Sequence, residues 1–131
     1  MSIFTIAEIG INHNGDIEIA KQLIDIAQKS GWDAVKFQKR DINVVYTKEY
    51  LNTTRDSPWG KTQGEQKEGL EFNYDEYNEI SKYCSEKKIE WFASPWDLNS
   101  VEFLRKFDCK KAKIASPMLT HRDLLKEVAQ D

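Results

Sequence analysis

The sequence predicts a parallel α/β fold built from four consecutive strand–helix units. Three observations carry that expectation. Short β-rich runs alternate with helix-periodic runs in the order βαβαβαβα. Asparagine, aspartate, glycine and proline fall at the junctions, where caps and turns use them. Each strand is followed by a helical crossover, and such connections make strands parallel and handedness right. Two architectures satisfy this order: an open doubly wound sheet, or part of a (β/α)8 barrel. A whole barrel needs roughly 250 residues, so 131 residues would supply about half of one.

The first strand is expected from Ile3 to Ile9, ending at Gly10. After the turn Asn14-Gly15-Asp16, with Asp16 or Asn14 as cap, Ala20, Leu23, Ile24 and Ala27 recur at i, i+3, i+4 and i+7 and predict a helix. Gly31 stands where a left-handed C-terminal cap is wanted. The second strand is Asp33 to Gln38, followed by a polar stretch from about Lys39 to Asn73 in which Arg55 to Gly60 reads as a turn. Ordinary βα connections run about 2–6 residues. A stretch this long at a strand's carboxyl end is either functional or a tolerated surface insertion. Asn73-Tyr74-Asp75-Glu76 reads as a capping box opening a helix with Tyr77, Ile80 and Cys84 on one face. Glu90 to Ser94 is the third strand, stopped by Pro95, and Asp97 caps a helix bearing Val101, Leu104 and Phe107. Lys111 to Ala115 is expected as a fourth strand, stopped by Pro117. Thr120 to Asp123 then caps a helix with Leu124, Leu125 and Val128.

Composition narrows the function classes. Apolar residues make up 40 % and charged residues 31 %, a balance of folded rather than disordered chains. The net charge of −3 lacks the basic excess of a nucleic-acid module. Lysines are scattered along the chain and no run of them suggests a membrane-surface patch, and no apolar run nears the roughly 20 residues of a membrane helix. The start at Met1 shows no signal-peptide pattern, and Cys84 and Cys109 read as free thiols, so a cytoplasmic location is expected. The end at Asp131, just after a helix and before an expected fifth strand, reads as a cut.

Polar residues at the strand ends carry the chemistry. Glu8, Lys36 with Gln38, Ser94 with Asp97, and Lys113 with Ser116 stand at the carboxyl ends of the four strands. In both architectures those ends converge on the ligand site. Paired ammonium groups with hydroxyls and an amide suit a small polyanion. Glu8 and Lys36 are the sharpest signals, because a charged residue inside an apolar strand is rarely buried without a partner. Gln38 alternates onto the face of Lys36. Lys113 reads equally well as part of a solvated lysine cluster, Ser94 and Ser116 as ordinary strand-ending serines, and Asp97 more simply as a helix cap. His13, beside Asn12 and Asn14, sits where a ligand group could sit, and His121 reads as a first-turn helix residue. Two histidines this far apart make no metal site, and Trp59, Trp91 and Trp96 are assigned packing.

Ala7-Glu8-Ile9-Gly10-Ile11-Asn12-His13-Asn14-Gly15 closely resembles the opening signature of the sialic acid synthase family, which includes N-acetylneuraminate, legionaminate and pseudaminate synthases. Val35-Lys36-Phe37-Gln38, Phe92-Ala93-Ser94-Pro95-Trp96-Asp97 and Lys113-Ile114-Ala115-Ser116 resemble its next three strand-end motifs, in order. The resemblance implies the (βα)4 amino-terminal half of a TIM (β/α)8 barrel. The rest of the barrel and the antifreeze-like domain of many members would lie outside residues 1–131. It also implies condensation of phosphoenolpyruvate with an N-acetylmannosamine-type aldose to give a nonulosonic acid and phosphate. A divalent cation, Mn or Mg, would polarise the aldehyde, held by histidines on later strands that this chain lacks.

By position, the resemblance puts Lys36, Ser94 and Lys113 on the carboxylate and phosphate, Ser116 on the phosphate and Gln38 on the sugar. Glu8 would stand near the reacting carbons. Ser116 is followed by Pro117, where many members have glycine and then an acidic residue. The chain is therefore expected to be an inactive fragment alone. The alternatives are an anion-binding module without catalysis, or a half-barrel active only as an assembled dimer. Unpaired outer edges of the first and fourth strands predict homodimerisation.

Overall fold

The computed structural model describes residues 3–130. Met1, Ser2 and Asp131, on which the leader and chain-end expectations rest, lie outside the described residues. In chain order the elements are β1 (Ile6–Gly10), α1 (Ile17–Lys29), β2 (Ala34–Lys39), α2 (Ile42–Val45), α3 (Lys48–Leu51), β3 (Thr54–Ser57), β4 (Gly60–Thr62), α4 (Gln63–Gly69), α5 (Tyr74–Lys87), β5 (Glu90–Pro95), α6 (Leu98–Leu104), a 3-10 turn (Ser116–Met118) and α7 (Arg122–Val128). β1, β2 and β5 form one parallel sheet in that order, and β3 pairs with β4 as a hairpin.

Period-2 alternation divides the sheet into two faces. Ile9, Val35, Phe37, Trp91 and Ala93 point to one face and are buried there with Ala20, Ile24 and Ala27 of α1 and Tyr77, Ile80 and Cys84 of α5. Each fully buried side chain of this size stabilises by about 1.5–3 kcal/mol relative to exposure. Phe37 and Trp91 meet edge to face with ring centres 6.4 Å apart, and the Tyr77 ring stacks on Trp91 at 5.6 Å. The Tyr77 hydroxyl is satisfied by donating to the Gln38 carbonyl at 2.6 Å. Glu8, Lys36 and Phe92 lie in register, as do Gln38 and Ser94, on the face turned away from the helices.

Local chemistry explains where the elements begin and end. The Asp16 carboxylate accepts from the N–H groups of Glu18 and Ile19 at 2.8 and 3.3 Å and starts α1, and Gly31 lies just beyond its end with φ +79°. Asn73 and Glu76 form the reciprocal capping box of α5. Asp97 caps α6. β1 starts at Ile6 rather than Ile3, because Thr5 and Asp33 clasp each other below it: the Asp33 carboxylate accepts from the Thr5 N–H at 2.6 Å and hydroxyl at 2.8 Å. Those bonds hold the Asp33 carboxyl below its ordinary value. Cys84 and Cys109 are free thiols, Cys84 buried and Cys109 half-buried.

Two expectations need correction. The 39–73 stretch is not an irregular loop but an ordered excursion of three short helices and a hairpin. Each element is too short for periodicity to reveal it and is held by caps and tertiary contacts. Asp41, Thr47 and Thr62 cap its helices, and Glu71 accepts from both the backbone N–H and the Nε of buried Arg40, closing its base. The turn expected at Arg55 to Gly60 is the hairpin itself.

The second correction concerns Lys111 to Ala115, which pairs with no strand. Side chains tie it down instead: the Lys111 ammonium donates to both Glu90 carboxylate oxygens at 2.8 and 3.0 Å and lies 4.1 Å from the Phe4 ring centre. Lys110 to Lys113 remain exposed, which suits ammonium groups better than a ladder position would. The sheet thus has three parallel strands rather than the four expected.

Candidate functional site

β1 departs from regular pairing where the polar residues begin. Glu8 is opposite Lys36, yet Gly10, two residues on, is opposite Phe37, so a bulge lies between them. Bulges beside sites re-aim side chains. Here the Glu8 carboxylate lies on the Lys36 ammonium as an ion pair. Lys36 is 7 % exposed, on the central strand, and its ammonium also reaches the Ser94 hydroxyl at 3.4 Å. Gly10 has φ +56°, a left-handed conformation that glycine tolerates without strain.

These residues open onto a cleft of about 290 Å³ at the carboxyl ends of the strands. The six residues to which the resemblance gives a site role line it, Glu8, Lys36, Gln38, Ser94, Lys113 and Ser116, whereas Asp97 and His13 do not. Lys113 arrives on the segment that fails to form a strand and Ser116 opens the 3-10 turn after it, so both are present without a ladder beneath them. The set combines one carboxylate, two ammonium groups, two hydroxyls and an amide, and its charge favours an anionic guest. A second cleft, also about 290 Å³, lies under α6 and the 109–112 segment; beside the apolar Ala93, Val101, Leu104 and Phe107 it is lined by Arg105, Lys110 and Lys111, whose charges are paired with Glu127, Asp108 and Glu90.

Asn12, which the sequence left without a role, and Trp96, which it assigned to packing, also line the site cleft. The Asn12 amide donates to the Ile9 carbonyl at 2.9 Å and braces the turn after β1. Arg40, 6 % exposed, lies behind Trp96, its guanidinium carbon 5.8 Å from the indole centre. Arg40 Nη2 and Trp96 Nε1 are buried donors without a protein acceptor. In the sequence Lys39-Arg40-Asp41 looks like a solvated charge run, so nothing there marked Arg40 as buried.

Asp97 is confirmed as a cap and does more: its carboxylate accepts from Ser100 N–H and Oγ at 2.8 and 2.7 Å and from the Asp41 N–H at 2.8 Å, pinning the excursion to β5. His13 corrects an expectation. It is no free ligand group but is 2 % exposed, stacked on Phe72 with ring centres 4.0 Å apart, and its Nδ1 accepts from the Gly15 N–H at 3.0 Å. Burial lowers its pKa to about 4; a backbone contact with Gly10 opposes this, and the charge of Arg40 reinforces it. His13 is a clasp for the β1–α1 turn. That turn sits tightly on the excursion, for a Cβ at Gly15 would lie 2.0 Å from the Gly69 carbonyl oxygen.

The resemblance implies a divalent cation, and the described residues do not fit one. Among them no three His, Cys, Asp or Glu side chains gather as ligands. His13 and His121 each spend Nδ1 on a backbone N–H. No helix among the described residues is long and apolar enough to cross a membrane.

A parallel α/β sheet with an anion-favouring cleft at its carboxyl strand ends is the class that fold and site define. Residues 23–131 match the model of the NeuB family. The chain is 42 % identical over 130 residues to the N-acetylneuraminate-9-phosphate synthase of Drosophila melanogaster, covering 98 % of this chain and 35 % of that protein. It is 36 % identical over 132 residues to the N,N'-diacetyllegionaminic acid synthase of Legionella pneumophila, covering 98 % of this chain and 37 % of that protein. Among solved structures, the N-acetylneuraminic acid synthetase of Leptospira borgpetersenii, in complex with citrate, superposes with a TM-score of 0.83 at 26 % identity, over 99 % of this chain and 42 % of that one. The spore coat polysaccharide biosynthesis protein SpsE of Bacillus subtilis gives 0.71 at 31 % identity, over 98 % and 33 %. The chain belongs to the NeuB family. It spans about a third of the length of the curated relatives it matches.

Proposed function

We propose that this chain supplies the phosphoenolpyruvate-binding part of a nonulosonic acid synthase, as the amino-terminal half of a (β/α)8 barrel in which the unpaired 111–115 segment stands at the place of the fourth strand. The observation that carries this reading is the convergence of Glu8, Lys36, Gln38, Ser94, Lys113 and Ser116 on one cleft. The synthase activities named for the Drosophila and Legionella relatives support it. Lys36 and Lys113 neutralise the carboxylate and phosphate of phosphoenolpyruvate, and the Ser94 and Ser116 hydroxyls orient them. In the reaction the methylene carbon forms a bond to the aldehyde carbon of an N-acylmannosamine-type aldose. Water then adds to the cationic carbon left behind, and the proton it gives up balances the one taken by the alkoxide formed from the aldehyde. The C–O bond to phosphate breaks, releasing phosphate and leaving a 2-keto group. Gln38 contacts the sugar, and Glu8 stands beside the developing cation, where a fixed negative charge stabilises it. Residues outside this chain complete the site, and the chain alone is inactive.

Calorimetric titration of the folded chain with phosphoenolpyruvate tests the reading. Saturable binding is expected, tighter than that of pyruvate or inorganic phosphate, each of which offers only one of the two anionic groups. A folded chain that binds none of the three at millimolar concentration would defeat it.

The same reading includes pairing of two copies. Ile3, Phe4 and Ile6 are 85, 45 and 38 % exposed beside the open outer edge of β1, and an apolar sheet margin of this kind favours association. Light scattering coupled to size exclusion should find a dimer. A monomer at all concentrations would remove this part of the proposal.

A further inference from the structure

The ammonium that an incoming anion needs is already in use. Lys36 is nearly buried and fixed on the central strand, whereas the Glu8 side chain that neutralises it is 51 % exposed. One partner of the pair is held and the other borders solvent. A nearly buried ammonium without a counter-charge is costly, so the ligand-free site requires a carboxylate there. An arriving carboxylate or phosphate offers the same charge and makes the internal one redundant.

The backbone is shaped for this contact. The bulge between Glu8 and Gly10 turns Glu8 toward Lys36, and Gly10 leaves the room the carboxylate uses. A Cβ at Gly10 would lie 3.1 Å from Glu8 Oε1 and 3.4 Å from Gln38 Nε2. Glu8, Lys36 and the Ser94 hydroxyl therefore share one corner of the cleft.

Resting on the phosphoenolpyruvate reading of this cleft, we propose that Glu8 is a placeholder for the substrate anion: its carboxylate occupies the seat on Lys36 and is displaced when the anion binds. Displacement has a chemical consequence. While paired with Lys36, the Glu8 charge is neutralised; once released, it faces the cleft as an unpaired carboxylate. Substrate entry thus both satisfies Lys36 and frees the negative charge beside the reacting carbons.

The test is calorimetric titration with phosphoenolpyruvate at constant ionic strength, since surface charge effects are salt-dependent. The chain, Glu8→Gln, Lys36→Met and the double variant are compared, with each fold checked by circular dichroism. Glu8→Gln should bind tighter, on the order of fivefold for a half-exposed competitor. That gain should vanish in the Lys36→Met background, because no seat remains to vacate. Equal or weaker binding by Glu8→Gln would overturn the placeholder, as would a gain that persists without Lys36, which would reflect bulk charge alone. Glu8→Asp keeps the charge but is one methylene too short for the contact, and it too should bind tighter; it decides the matter if Glu8→Gln does not fold. Absence of binding in every folded variant would instead defeat the phosphoenolpyruvate reading, and the placeholder with it.

Discussion

Acidification from pH 7 to pH 4 is expected to cost this fold about 3 kcal/mol through His13 alone, about 2 kcal/mol of it by pH 5. The group is 2 % exposed, and its pKa is lowered from 6.5 to about 4, chiefly by burial. Between those values the unfolded chain binds a proton that the folded chain refuses. Stability from this group is therefore complete above pH 6.5, falls as pH drops through that value, and levels off below about 4. The carboxyls of Asp25, Asp33 and Glu65 are also held low, but they begin from 3.8 and 4.5 and act below the upper part of the window. Urea unfolding at pH 7 and pH 5 isolates the histidine. His13→Phe keeps the stacking on Phe72 and should flatten the slope between those pH values, at the cost of the bond from the Gly15 N–H. An unchanged slope in that variant would mean that another group titrates. Protonation would remove the acceptor at Nδ1 and set a second positive charge near Arg40, so the β1–α1 turn should loosen first.

His13 also marks where sequence reading stops. Glu8 and Lys36 were legible because each is a charge embedded in an apolar strand, an anomaly that physical chemistry flags without any structure. The three parallel strands and the capped helices α1, α5 and α6 were legible for a related reason: alternation, helical periodicity and caps are local signals that tertiary packing reinforced. His13 carries no such mark, since a histidine among asparagines looks solvated until Phe72, 59 positions further along (72 − 13), is found stacked on it. Arg40 was hidden in the same way, buried by Glu71 and Trp96 from distant parts of the chain together with the nearby Tyr46. The excursion escaped because no element in it is long enough to show a period. Lys111 to Ile114 alternates lysine with apolar residues, but only Ile114 favours a strand, and a ladder also requires a partner backbone in register, which composition does not report.

The segment that does not form a strand bears on the last expectation, which concerns the two lysines of the cleft. Lys36→Met should weaken phosphoenolpyruvate binding about 100-fold, equivalent to about 2.7 kcal/mol, and leave the fold intact. Methionine reproduces the buried stem of the lysine, and the Glu8 carboxylate it abandons is half-exposed and finds water. Removing one charge of a nearly buried pair is tolerable when the other can be solvated, so thermal stability should hold or rise slightly. Lys113→Met should cost only about tenfold, because an exposed ammonium is screened by water and must be ordered on binding. Both variants need only the titration already described and a melting curve. The predicted order follows from position: Lys36 is held between β1 and β5, while Lys113 hangs on an unpaired segment. A larger loss at Lys113 would mean that the guest pulls that segment into the site and takes its main seat there. Lys36 would then be a structural partner of Glu8, and the strand-end ammonium would lose its place as the primary anion seat.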